Sequence, residues 1–143
     1  MPDRHGYQFE DLSPGMSEVF SKTITEADLL MFAGVSGDTN PIHLDEEFAS
    51  GTMFESRIAH GMLTASLVST VLGTKLPGPG CVYVSQSIKF LAPVRIGDTV
   101  VARASVGELQ TERRRVFMTT ICTVGEKKVL DGEAVLMVPI RER

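Results

Sequence analysis

Asp38 and His43 stand five residues apart in the run Ser36-Gly37-Asp38-Thr39-Asn40-Pro41-Ile42-His43. A carboxylate and an imidazole are the side chains best suited to passing protons near neutral pH. Set across a Gly/Asn/Pro turn, the two can be held by a tight backbone and share one water molecule. Taken alone, Asp38 reads more simply as a turn residue, because Asp and Asn side chains bond their own backbone. His43 alone, between Ile42 and Leu44, reads as a half-buried histidine. Together with Asn40, Pro41 and a second block, Ala59-His60-Gly61-Met62-Leu63, they read as a catalytic pair. Pro41 stiffens the approach to His43, and the Asn40 amide is expected to tie the loop down without taking part in the chemistry.

The flanking segments show what must position this pair. The chain opens with a polar arm and a turn at Ser13-Pro14-Gly15, followed by a short strand over 17–24. Thr25 can cap the next helix, with Asp28 near its positive end. Leu29, Leu30, Phe32 and Ala33 give that helix an apolar face, and Gly34 and Gly37 break it. Pro41 and the triplet Asp45-Glu46-Glu47 predict a loop and then a short helix around 45–50. Residues 61–72, GMLTASLVSTVL, are apolar or small on every side, which predicts a helix buried all round. It should end near Gly73, before the hard stop Pro77-Gly78-Pro79-Gly80. Residues 81–92, 99–109, 115–124 and 128–138 then read as strands separated by turn residues. Val82, Val84, Ile88 and Phe90 are expected to line one face, interrupted by Gln86. One buried helix followed by four consecutive strands implies an α+β fold with an antiparallel sheet wrapped around the helix, and the absence of a βαβ pattern excludes a Rossmann-type alternation.

At 143 residues with 43% hydrophobic content, the chain fits one domain, taken as 1–143. A net charge of −4 and a pI near 5.3 argue against nucleic acid as a partner. Cys81 and Cys122 lie in apolar runs and are read as reduced core residues rather than a disulfide framework. The first residues lack the apolar region of a secretory signal. The longest uncharged stretch, Ile58 to Thr74, is short for a membrane span. The expectation is a cytoplasmic protein with no membrane association. No Cys/His spacing points to zinc, so no metal site is expected, and neither a Gly-rich phosphate loop nor a G-x-S-x-G elbow is present.

The block 36–43, followed by Ala59-His60-Gly61-Met62, resembles the signature of the MaoC-like (R)-specific enoyl-CoA hydratases, and the order of elements is similar to the hotdog fold of that family over nearly the whole chain. The resemblance implies reversible hydration of trans-2-enoyl-CoA to (R)-3-hydroxyacyl-CoA, serving polyhydroxyalkanoate precursor supply or fatty-acid metabolism. It implies Asp38 and His43 as the catalytic pair, with Asp38 positioning and activating the water and His43 as its partner in proton transfer. Which of the two is formally the base stays open, because closely coupled groups titrate as a pair. It implies the Gly61 amide as the donor to the thioester oxygen, at a helix start that favours developing negative charge; Gly61 alone would also serve as a close-packing position. It places Asn40 and Ser69 in supporting roles, Ser69 near the histidine, although a serine in a buried helix often bonds its own helix carbonyl. No cofactor is implied beyond the coenzyme A of the substrate, and an acyl carrier protein thioester is a possible alternative substrate. A homodimer or higher homo-oligomer is implied, formed by joining sheets edge to edge.

Met53, Phe54, Leu63 and Val68 are candidates to shape an acyl tunnel. Arg113-Arg114-Arg115 would suit coenzyme A phosphates or a carrier protein, but reads more simply as a solvated hairpin tip. His60 could cap the central helix or pack against the loop. Two other functions fit the chain: a hotdog acyl-CoA thioesterase and a non-catalytic acyl-thioester-binding domain. The first usually needs an acidic residue on the central helix, and there is none between His60 and Gly73.

Overall fold

The computed structural model describes residues 5–141, so the first four residues of the polar arm and the last two residues lie outside it. After a 3-10 turn at Phe9–Asp11, the elements run β1 (Ser17–Thr23), α1 (Glu26–Ser36), α2 (Pro41–Leu44), α3 (Glu46–Ser50), α4 (Gly61–Thr74), β2 (Val82–Phe90), β3 (Thr99–Gln110), β4 (Arg115–Val124) and β5 (Lys127–Met137). The five strands form one antiparallel sheet in the order β1-β3-β4-β5-β2. The sheet and the helix α4 packed on it make the hotdog arrangement expected from the sequence.

Strand alternation explains which side of the sheet faces α4. In β3, Val100, Ala102, Ala104 and Val106 are buried; in β4, Val116, Met118, Thr120 and Cys122 are buried. Each series takes every second residue, so each lies on one face. Leu67, Val68, Val71 and Leu72 of α4 fill the core above them, and α4 packs on β3, β1 and β4. Burying one such aliphatic side chain contributes about 1.5–3 kcal/mol, so this interface fixes where the amino end of α4 sits. Cys122 is fully buried, and its burial pushes the thiol up to about 12, as suits an inert core residue.

Two expectations change. Residues 41–44 form a one-turn helix rather than loop, because Asn40 caps it and Pro41 occupies its first position. The helix α4 is not buried all round: Met62, Ser66, Ser69 and Gly73, on one stripe, remain exposed. β2, although first of the four later strands in sequence, lies at the outer edge of the sheet. Val82, Val84 and Phe90, expected to line one face, are about half exposed there. Gln86 finds the partner it needed in the buried Thr120 hydroxyl, 2.9 Å away. Among the described residues, no helix is long and apolar enough to cross a membrane.

Candidate active site

The loop that carries Asp38 begins where α1 stops. Gly37 adopts the left-handed conformation, φ +77°, and its N–H closes the helix on the Ala33 carbonyl. Asp38 follows this reversal directly; it is exposed and lines the cavity described below. The Asp38 N–H donates to Ser36 Oγ at 3.1 Å, and Asp38 Oδ1 accepts the Asn40 N–H at 3.2 Å. Asn40 Oδ1 in turn accepts the Ile42 N–H at 3.1 Å, capping α2. That single turn delivers His43 into the protein, where it is 8% exposed.

A second segment, residues 57–60, grips the loop from beneath. His43 Nδ1 lies 2.8 Å from the Ile58 carbonyl, which can only accept, so Nδ1 carries the hydrogen and Nε2 is left as the ring's acceptor. The Ile58 N–H donates to Ile42 O at 3.3 Å. Arg57 Nε donates to the His43 carbonyl at 2.8 Å, while its Nη1 pairs with Glu26 of α1, also at 2.8 Å. His60, 1% exposed, directs Nε2 at the Asp38 carbonyl, 3.0 Å away. Its ring stacks on His43 with centroids 3.9 Å apart and 30° between planes, and it meets the Phe32 ring edge-to-face with centroids 4.9 Å apart. Burial pushes His43 below its ordinary value of 6.5. The Ile58 carbonyl and Asp38 pull it upward, and His60 pushes it down again.

One carboxylate oxygen of Asp38 and one nitrogen each of His43 and His60 lie within 4.8 Å of one another. His43 Nδ1 and His60 Nε2 both face backbone carbonyls, which leaves one nitrogen on each ring for any other contact. For Asp38 and His43, a distance within 4.8 Å is short enough for a single water to bridge with two hydrogen bonds of about 2.8 Å.

This pair faces a cavity of about 580 Å³ whose wall also includes Gly61, Met53, Phe54 and Phe90. Gly61 is the first residue of α4, where a backbone N–H has no intrahelical partner. The His60 side chain does not cap the helix. A Cβ at Gly61 would stand 2.8 Å from the Phe90 ring, so glycine is what lets the helix end and this aromatic wall approach so closely.

Asp38, His43 and Gly61 are thus brought to one cavity, with Asn40 in the backbone bonds of the loop. Ser69 does not line this cavity: it is exposed and lines a second groove with Phe32, Ser66, Tyr83 and Met62, the last of which also lines the cavity. Met53 and Phe54 line the cavity wall, whereas Leu63 and Val68 belong to the core. The arginine cluster does not line this cavity; Arg114 sits in the β3–β4 turn with φ +55°. Arg57 and Phe90 were missing from the sequence reading as site residues. Arg57 reaches His43 across 14 positions, a contact that no local pattern records. Phe90 comes to Gly61 only because β2 ends beside α4.

Residues 12–129 match the family model described as MaoC like domain. The chain belongs to the MaoC-like family. Similar proteins include an (R)-specific enoyl-CoA hydratase from Rhodospirillum rubrum, 55% identical over 94% of each chain. A 3-hydroxybutyryl-CoA dehydratase from Methylorubrum extorquens is 52% identical over 99% of this chain and 90% of that one. Among solved structures, the unliganded R-hydratase PhaJ1 from Pseudomonas aeruginosa superposes with a TM-score of 0.90 at 41% identity, covering 95% of this chain and 88% of that one. The MaoC-like site is therefore set on a hotdog fold shared with hydratases.

Proposed function

We propose that this MaoC-like protein, acting as one domain over 1–143, is an (R)-specific enoyl-CoA hydratase that reversibly hydrates trans-2-enoyl-CoA to (R)-3-hydroxyacyl-CoA. The observation that carries the reading is the Asp38 carboxylate and the His43 imidazole within 4.8 Å, beside the open amino end of α4. Both groups accept hydrogen bonds, so a water between them donates one O–H to each and turns its lone pair toward C3 of the substrate. As the C3–O bond forms, one water proton passes to one of the pair, and the C2=C3 electron pair moves toward the thioester oxygen. The Gly61 N–H meets the charge that develops there. The protonated member of the pair then delivers a proton to C2. The sum is the addition of one water with no net oxidation, which calls for no redox cofactor, and coenzyme A enters as part of the substrate. An acyl carrier protein thioester presents the same reacting atoms.

The apolar walls at Met53, Phe54 and Phe90 fit an acyl chain. The protein is read as cytoplasmic and homodimeric. Support for the dimer comes from the unpaired β2 edge, where Val82, Tyr83 and Val84 are 50%, 39% and 48% exposed, continuous with the groove beside Met62 and Ser66. Light scattering should give twice the chain mass; the monomer mass would rule the dimer out. The function is tested by following loss of the enoyl absorbance with crotonyl-CoA and resolving the product's configuration. Absence of turnover across C4 to C12 enoyl-CoAs, or an (S) product, overturns the assignment.

A further inference from the structure

His60 lies outside the proton-transfer pair, yet it contacts both members. The Asp38 carbonyl can only accept, so His60 Nε2 must carry the hydrogen of their 3.0 Å bond. The same ring forms the floor against which His43 stacks, 3.9 Å between centroids. Phe32 of α1 also packs against the ring, edge-to-face with centroids 4.9 Å apart. The remaining nitrogen, Nδ1, is buried without a hydrogen-bond partner among the described residues. A buried polar atom left unsatisfied costs on the order of 1–3 kcal/mol, and an apolar ring of similar shape would avoid that penalty. Helix capping does not account for the histidine either, because its side chain makes no cap bond to α4. What a histidine supplies here, and a phenylalanine does not, is the Nε2–H directed at the backbone of Asp38.

We propose that His60 is a positioning residue for the hydration reaction: its Nε2–H anchors the Asp38 carbonyl while its ring backs His43, holding carboxylate and imidazole at the separation one water bridges. The proposal rests on the hydratase reading above. His60 also provides the carbonyl that accepts the Leu63 N–H at 3.0 Å as α4 begins, so the pair is referenced to the helix end that carries Gly61. A displacement of about 1 Å in such a constellation can cost on the order of 10²-fold in rate.

Two substitutions separate the donor from the ring. In His60→Phe the stack survives and the donor is lost; in His60→Gln an amide Nε2–H can reach the same carbonyl. Crotonyl-CoA hydration is measured for both beside the wild-type protein, with thermal unfolding of each. The expected result for His60→Phe is a kcat lowered about 10- to 100-fold with KM changed less than about threefold. His60→Gln should recover most of that loss, to within about tenfold of wild type. A wild-type kcat in His60→Phe overturns the proposal, as does a folded His60→Gln no faster than His60→Phe. If neither variant folds, the histidine serves the fold and the positioning role is likewise rejected. A wild-type protein inactive on every enoyl-CoA would instead overturn the hydratase reading.

Discussion

The starts of α1 and α4 solve the same problem in opposite ways. Every helix leaves its first N–H groups without intrahelical partners. In α1 they are satisfied locally: Thr25 Oγ1 accepts the Asp28 N–H at 3.2 Å, Asp28 Oδ2 accepts the Thr25 N–H at 2.8 Å, and Lys22 sits 3.1 Å from the same carboxylate. This is a complete capping box. In α4 the residue in the capping position is His60, whose side chain turns away to the loop that carries Asp38. The amide of Gly61 is left at the wall of a cavity that also holds Asp38 and His43. A helix end closed by its own side chains contributes stability. One left open beside titratable groups is available to a ligand, so substitutions at the two ends should have opposite signatures.

The largest effect is expected at the open end. Asp38→Ala and His43→Ala should each lower kcat on the order of 10²–10⁴-fold while leaving the fold intact by circular dichroism; near-wild-type rates in both would break the contrast. Next is the amide itself. Proline is tolerated at the first position of a helix and lacks the N–H, so Gly61→Pro, made with Phe90→Ala to give the ring room, should lose about 10²–10³-fold in kcat relative to Phe90→Ala alone.

A smaller effect follows from the buried imidazole. Burial, with His60, keeps His43 below 6.5 against the upward pull of Ile58 and Asp38, so its Nε2 stays available as an acceptor below that pH. The acid limb of kcat/KM should therefore fall below pH 6.5, and a limb at or above it would contradict the geometry. Unfolding restores the ordinary affinity for protons, so the unfolded chain binds more protons in this window. The contribution of His43 to stability is then full above 6.5 and is lost as pH falls from there toward the folded-state value; melts at a series of pH values would record it. The smallest effect belongs to the closed end: Thr25→Ala should lower stability by about 1 kcal/mol and leave kcat/KM unchanged.

The same two helix starts show what was legible in the sequence. Thr25 and Asp28 could be read as a cap because their chemistry is local, three residues apart. Asp38 and His43 could be paired for a similar reason, since one turn joins them. The strands were visible in their alternation, but alternation does not order strands in space. Val82, Val84 and Phe90 could therefore be read as sharing one face, but not as lying on the edge strand of the sheet. The four-residue helix at 41–44 is too short to display a period. Ser69 was expected beside the histidine, yet it turns to the groove on the outer side of α4. The bond from His60 to Asp38 spans 22 positions, and only the packing of α4 on the sheet creates it.

The strand order has a consequence for how this cavity comes into being on the ribosome. β5 is inserted between β4 and β2, so β2 has no backbone partner in the sheet until residues 127–137 have emerged. Asp38, His43 and Gly61 are all synthesised long before that, but the Phe90 wall opposite them can be seated only by the last strand. A nascent chain stalled at residue 126 would carry Asp38, His43 and Gly61 and still lack the strand that pairs with Phe90.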